Sequence, residues 1–330
     1  MPVPAEPVLP EVLPRDGAPY PLILRGPTYA LWRSLLGVVF GLSLFLLLST
    51  VVSQVVVVVG WALTAADRPY ADYVRSALAF ERPSGLLGTN LGIVSLVPIS
   101  FAMLAVLHHV RPRWLMSVQP GIRWRYLLVC LVIALVSLNG VLLLSQLAAE
   151  RPALHVQQGY WGFLAVILLT SPLQAAAEEI FFRGYLLQAL GSLVARPWFG
   201  VVVSSVVFAL LHGTQNLPLF IDRLAFGLLA AALVWRTGGI EAGIAAHIVN
   251  NVFAYGIAGV TTGIATLKAV QGIGWVDAAF DVGGFAVFAL LAYLAFRRLR
   301  LRQTVDLTGY DDGGAVLGGG SGLGRRPGLQ

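Results

Sequence analysis

The sequence predicts an all-α, polytopic membrane protein with about eight transmembrane helices. Three observations carry that prediction. Of 330 residues, 57% are hydrophobic and only 12% charged, at a mean hydropathy of +0.79; a soluble domain carries about 25% charged residues. The charges are also unevenly placed, with six in residues 1–33, nine in 297–330 and 23 across the 263 residues between. Eight apolar stretches then approach or exceed the roughly 20 residues a helix needs to cross the hydrocarbon layer. A soluble enzyme, a disordered chain and a nucleic-acid binder are excluded together. The net charge of +6 comes from arginines at the ends of apolar runs, a membrane-topology pattern rather than a nucleic-acid surface.

The chain opens with a Pro-rich segment, residues 1–30, read as a flexible tail. Glu6 and Glu11 there are the wrong chemistry for a cleaved signal peptide. The apolar stretches follow at about 35–63, 90–110, 126–148, 160–180, 198–212, 217–235, 240–260 and 277–296. The first is long enough to tilt, and the fifth is short for a crossing. Residues 31–155 form transmembrane helices without an assigned role, 156–260 a core that carries the chemistry, 261–302 the last span, and 303–330 a Gly-rich flexible tail. With a cytoplasmic N-terminus, fifteen arginines fall inside and six basic residues outside, so both termini are expected in the cytoplasm. The basic residues are 21 Arg and one Lys, which suggests a GC-rich genome and hence a bacterial plasma membrane. Cys130, alone in an apolar run, makes no disulfide framework.

Ionisable groups at membrane depth are costly, about 2.5–3.5 kcal/mol each, and are functional candidates. Residues 171–190 contain Glu178, Glu179 and Arg183, together about 8–10 kcal/mol if unpaired. Glu179 and Arg183 are four apart and can pair on one helix face. Glu178 is turned about 100° away and lacks that partner. Either the three form a structural ion cluster, or Glu178 faces a wet cavity with apolar walls as a general base.

The histidines bear on this choice. His108, His109 and His155 lie at span ends or in a loop and read as interfacial. His212 ends an apolar helix one turn after Phe208, and His247 lies inside another with Asn251 four residues on, on the same face, and Asn250 beside it. Two imidazoles, an amide and a spare carboxylate could supply a base, a proton shuttle and donors to a developing oxyanion. Amide hydrolysis needs those parts. Asp222 and Arg223 read as interfacial, and Asp281, on one face with Asp277, has no evident partner.

The series Glu178-Glu179-x-x-x-Arg183, Phe208-x-x-x-His212 and His247-x-x-x-Asn251 resembles the three-motif signature of the CPBP intramembrane proteases, which include the CAAX prenyl-protein endopeptidases and the bacterial Abi group. The resemblance covers about residues 160–255. It implies an endopeptidase with its active-site cavity inside the membrane, acting on a membrane-associated protein or peptide in a CAAX-type or bacteriocin-immunity-like role. It further implies that Glu178, helped by His212, activates a water; that His247 and Asn251 stabilise the oxyanion; that Glu179 and Arg183 brace the site; and that Phe208 packs it.

Members of this family are often described as metalloproteases, and Glu178, His212 and His247 are the zinc set this sequence offers. No His-Glu-x-x-His pair is present, and the remaining carboxylate, Glu179, is matched to Arg183. A metal-free glutamate mechanism is therefore the expectation. Two rival classes stand beside the peptidase: a proton-coupled transporter and a non-catalytic immunity or scaffold protein of the same fold. The confinement of the chemistry to one stretch disfavours transport.

Overall fold

The computed structural model describes residues 12–147 and 153–308. Among these the chain is all-helical, without a strand, and two isolated bridge pairs (Pro19–Thr304 and Ser117–Gly239) are its only extended pairings. The helices are α1 (Leu31–Thr64), α2 (Tyr70–Leu78), α3 (Pro83–Val94), α4 (Leu96–Ala102), α5 (Trp124–Leu147), α6 (Tyr160–Glu178), α7 (Leu187–Val194), α8 (Pro197–Leu210), α9 (Leu217–Thr237), α10 (Glu241–Ala258), α11 (Ile264–Ala269) and α12 (Trp275–Arg298). All eight apolar stretches are helical. Six helical runs among the described residues are long and apolar enough to cross a membrane: 31–64, 83–108, 124–146, 160–194, 217–237 and 275–298. The protein is an integral, polytopic membrane protein.

Two of the eight expected spans fall short of that standard, for different reasons. Helix α8 has 14 residues and rises about 21 Å, less than the roughly 30 Å hydrocarbon thickness. Helix α10 carries Glu241, His247, Asn250 and Asn251, which dilute its apolar character. It lies against α5, α6 and α9, and residues 241–247 are all buried. The fourth span runs further than 180. A π-helical segment, Glu179–Leu186, joins α6 directly to α7, and such segments recur at functional sites.

Apolar side chains point outward as well as inward. Val39, Leu47 and Val51 on α1, Val136 and Leu143 on α5, and Leu169 on α6 are all exposed, as a lipid-facing surface requires. Helix pairs approach where side chains are small. A Cβ at Gly92 of α3 would stand 2.5 Å from the Ser49 carbonyl of α1, so the α1–α3 contact depends on that hydrogen.

The segments read as tails are partly packed. Tyr20, Ile23 and Leu24 are buried, and Tyr20 donates its hydroxyl to the Leu115 carbonyl; burial raises that phenol well above its ordinary pKa. The Gly17 amide donates to the Val305 carbonyl and the Val305 amide to Ala18, each at 2.9 Å. Residues 12–30 and 303–308 thus close on one another rather than hang free. The remainder of both expected tails, 1–11 and 309–330, lies outside the described residues.

A second charge pair was hidden among loop arginines. Arg123, just before α5, donates to both Glu241 carboxylate oxygens at 2.8 and 2.6 Å and to the Thr237 carbonyl at 2.7 Å. Glu241 is wholly buried at the first position of α10, where a carboxylate is favoured by the helix dipole. This bidentate pair fixes the start of α10, and so the register of His247.

Candidate active site

The site forms where the π-helical segment meets the middle of α10, with α8 and α9 supplying aromatic walls. Glu179 and Arg183 pair at 3.0 Å, both buried to about 1% exposure or less. The same Glu179 oxygen accepts from His247 Nδ1 at 2.9 Å. Its second oxygen lies against Gly243, one turn before His247, where a Cβ would collide with it. A glycine at 243 therefore lets the carboxylate reach the imidazole.

The Arg183 guanidinium stacks over the Phe208 ring, its Cζ 4.0 Å from the centroid, and lies 5.2 Å from the Phe226 centroid. An arginine held between a carboxylate and two aromatic faces is compensated on several sides. Phe208 also touches both candidate histidines, with ring centroids 4.6 Å from His212 and 6.1 Å from His247. Phe226 packs edge-on against His247 at 5.2 Å.

Glu178 is 9% exposed. Its Oε1 accepts from Gln174 Nε2 at 2.6 Å. Its Oε2 is buried with no hydrogen bond among the described residues, and faces His247 Nε2 across 3.6 Å. Gln174 extends this link, because its own oxygen accepts from Asn251 Nδ2 at 2.9 Å. A chain of hydrogen bonds therefore runs from α10 through Gln174 to the carboxylate. Asn250 is exposed and donates to Asn251 at 3.2 Å, so Asn251 is the inward amide.

His212 sits just beyond α8, its side accessible, with Nδ1 2.8 Å from the Phe208 carbonyl. That bond makes Nδ1 the donor and leaves Nε2 free in the neutral ring. By the same reasoning His247 donates from Nδ1 to Glu179 and presents Nε2 to Glu178.

The structure thus brings Glu178, Glu179, Arg183, His247 and Asn251 into one connected group, with His212 across the Phe208 ring from His247. Two further members, Gln174 and Phe226, escaped the sequence reading. Gln174 is four residues before Glu178, the same spacing that marked Glu179 and Arg183, so a test of amides as well as charges would have found it. Phe226 carried no signal beyond its place on an apolar helix. His108 is not interfacial as expected: it is 2% exposed and 3.3 Å from the Tyr185 hydroxyl.

Among the described residues no group of three His, Cys, Asp or Glu side chains is close enough together to hold a metal ion; Nδ1 of both histidines is engaged by a protein oxygen, which leaves Nε2 of each turned away from that contact.

Residues 160–253 match the family model described as type II CAAX prenyl endopeptidase Rce1-like. The chain is also 38% identical over 96 residues to the uncharacterized protein YyaK of Bacillus subtilis (strain 168), a match covering 27% of this chain and 32% of the relative. The chain thus spans about a third of that relative's length. No solved structure matches it. The matched stretch begins at the start of α6 and ends just past Asn251, so the similarity to the Rce1-like type II CAAX prenyl endopeptidases spans every residue of the candidate site.

Proposed function

We propose that the protein is an intramembrane endopeptidase that cleaves a membrane-associated protein or peptide, with Glu178 as the base. The observation that carries this reading is the Glu178 carboxylate itself. One oxygen is anchored by Gln174; the other is buried, free of protein donors and turned toward an imidazole. Glu179 also has a buried oxygen without a donor, but that oxygen is packed against Gly243 while its other one holds Arg183 and His247; the spare oxygen of Glu178 instead faces an imidazole.

In the proposed reaction Glu178 Oε2 takes a proton from water as the oxygen adds to the scissile carbonyl carbon. The carbonyl oxygen becomes an oxyanion. Asn251 offers the oxyanion the N–H not used on Gln174, and the His247 ring, held at Nδ1 by Glu179, turns its Nε2 edge to the same place. The proton held by Glu178 passes to the amide nitrogen, by way of His212, as the C–N bond breaks and the amine leaves. Glu179 and Arg183 hold His247 in place. The arginine distribution supports cytoplasmic termini, and the Arg-rich composition a bacterial plasma membrane.

The test is a proteomic comparison of membrane fractions carrying wild type or Glu178→Gln. The expected result is uncleaved substrate that accumulates only with the variant, at wild-type protein levels. Unchanged processing or biological activity in that variant would make the chain a scaffold or immunity protein instead. Stoichiometric zinc in purified enzyme, lost together with activity on chelation, would overturn the metal-free chemistry.

A further inference from the structure

We propose that the groove between α9 and α12 is a binding site for one anionic glycerophospholipid, with an acyl chain along the groove and the phosphodiester at its arginine-bearing end. The groove is open along one side and has a volume of about 180 Å³. Leu229, Ala232 and Leu233 of α9 and Ala289 of α12 form its walls, and Arg236 and Tyr293 close one end. Alanines on both helices keep the wall low, which leaves a slot that methylene groups fill at little steric cost.

The end of the slot is cationic among the described residues. Arg236 lies 5.9 Å from the Tyr293 ring centroid, and Arg297 follows Tyr293 by four residues on the same face of α12. Among the described residues, the acids near this end have other partners: Glu241 holds Arg123, Asp306 holds Arg302 and Asp16 accepts from the Leu307 amide. Arg236, Arg297, Arg298 and Arg300 form no ion pair among the described residues, and all four are exposed. An apolar slot in a membrane-facing wall that runs into two convergent guanidinium groups and a phenol matches one ligand chemistry, a phosphodiester attached to a hydrocarbon chain. A zwitterionic headgroup would set its own cation among these arginines.

The site shares no residue with the proposed peptidase centre, so the two readings fail separately. Full-length protein in detergent is titrated with phosphatidylglycerol or phosphatidylcholine, and bound lipid is counted by native mass spectrometry. One phosphatidylglycerol is expected to stay bound where phosphatidylcholine does not. The Arg236→Gln/Arg297→Gln pair should weaken phosphatidylglycerol by roughly thirtyfold, each arginine near an anionic lipid surface contributing about fivefold. Ala289→Trp, which fills the slot but keeps both arginines, should also abolish the bound lipid, with wild-type thermal unfolding as the check on folding. Inorganic phosphate should not displace it. Equal retention of the two lipids, full binding by either variant, or displacement by phosphate would each overturn the proposal.

Discussion

At the scale of the residue, the site depends on contacts that a single atom can undo. Gly243 faces a Glu179 oxygen with no room for a methyl group. Gly243→Ala should push Glu179 off His247, lower stability by about 1–3 kcal/mol and reduce turnover; unchanged thermal unfolding in detergent would refute the crowding argument. Gln174 is a sharper case, since it holds both Glu178 and Asn251. Gln174→Ala should cut the turnover number about 10²-fold, the scale of an ångström of misplacement in a reacting group, with KM little altered. Normal turnover there would mean that Glu178 is oriented by something else. The Glu179–Arg183 pair was legible in the sequence because four residues bring two side chains onto one helix face. The Gln174–Asn251 bond spans 77 positions, and no local periodicity encodes it.

At the scale of the element, caps and ion pairs fix where helices begin. Asn216 caps α9, accepting from the Leu219 amide at 3.1 Å; its loss in Asn216→Ala should cost about 1 kcal/mol, read from the unfolding midpoint. Glu241→Ala is predicted to be far worse, at about 3–5 kcal/mol, because Arg123 would be left buried without a counter-charge. If the two variants prove equally mild, the Arg123–Glu241 bridge is not what sets the start of α10. The sequence reading counted Arg123 as a loop charge, since its partner stands 118 positions away. Apolar run lengths did locate every long helix, because burying a backbone in lipid leaves helix as the economical local solution. They did not show that the fourth run continues to 194, since Glu178, Glu179 and Arg183 interrupt its hydropathy while the pairing among them sustains the helix.

At the scale of the whole molecule, polar groups lie inside and many large apolar side chains outside. Glu178, Glu179, Arg183, Glu241 and His247 are buried, while Leu63, Leu169 and Val136 stand in the open. The protein should therefore remain with membranes after alkaline carbonate washing and be released by detergent; release by carbonate alone would contradict the polytopic reading. The docking of residues 12–30 against 303–308 was invisible in composition, because proline and glycine content reports chain stiffness and not a distant partner. Tyr20 meets Leu115 across 95 positions.

Helix α8, at 14 residues, stops below the height of its neighbours, and the polar turn 211–216 that carries His212 stops with it. Gln215 and Asn216 there find partners within the protein, Gln215 at the Ala209 carbonyl and Arg223, Asn216 at the Leu219 amide and the Ile273 carbonyl, so the turn asks nothing of the lipid. The short helix thereby sets His212 on an exposed turn at the rim of the site rather than deep in an apolar span.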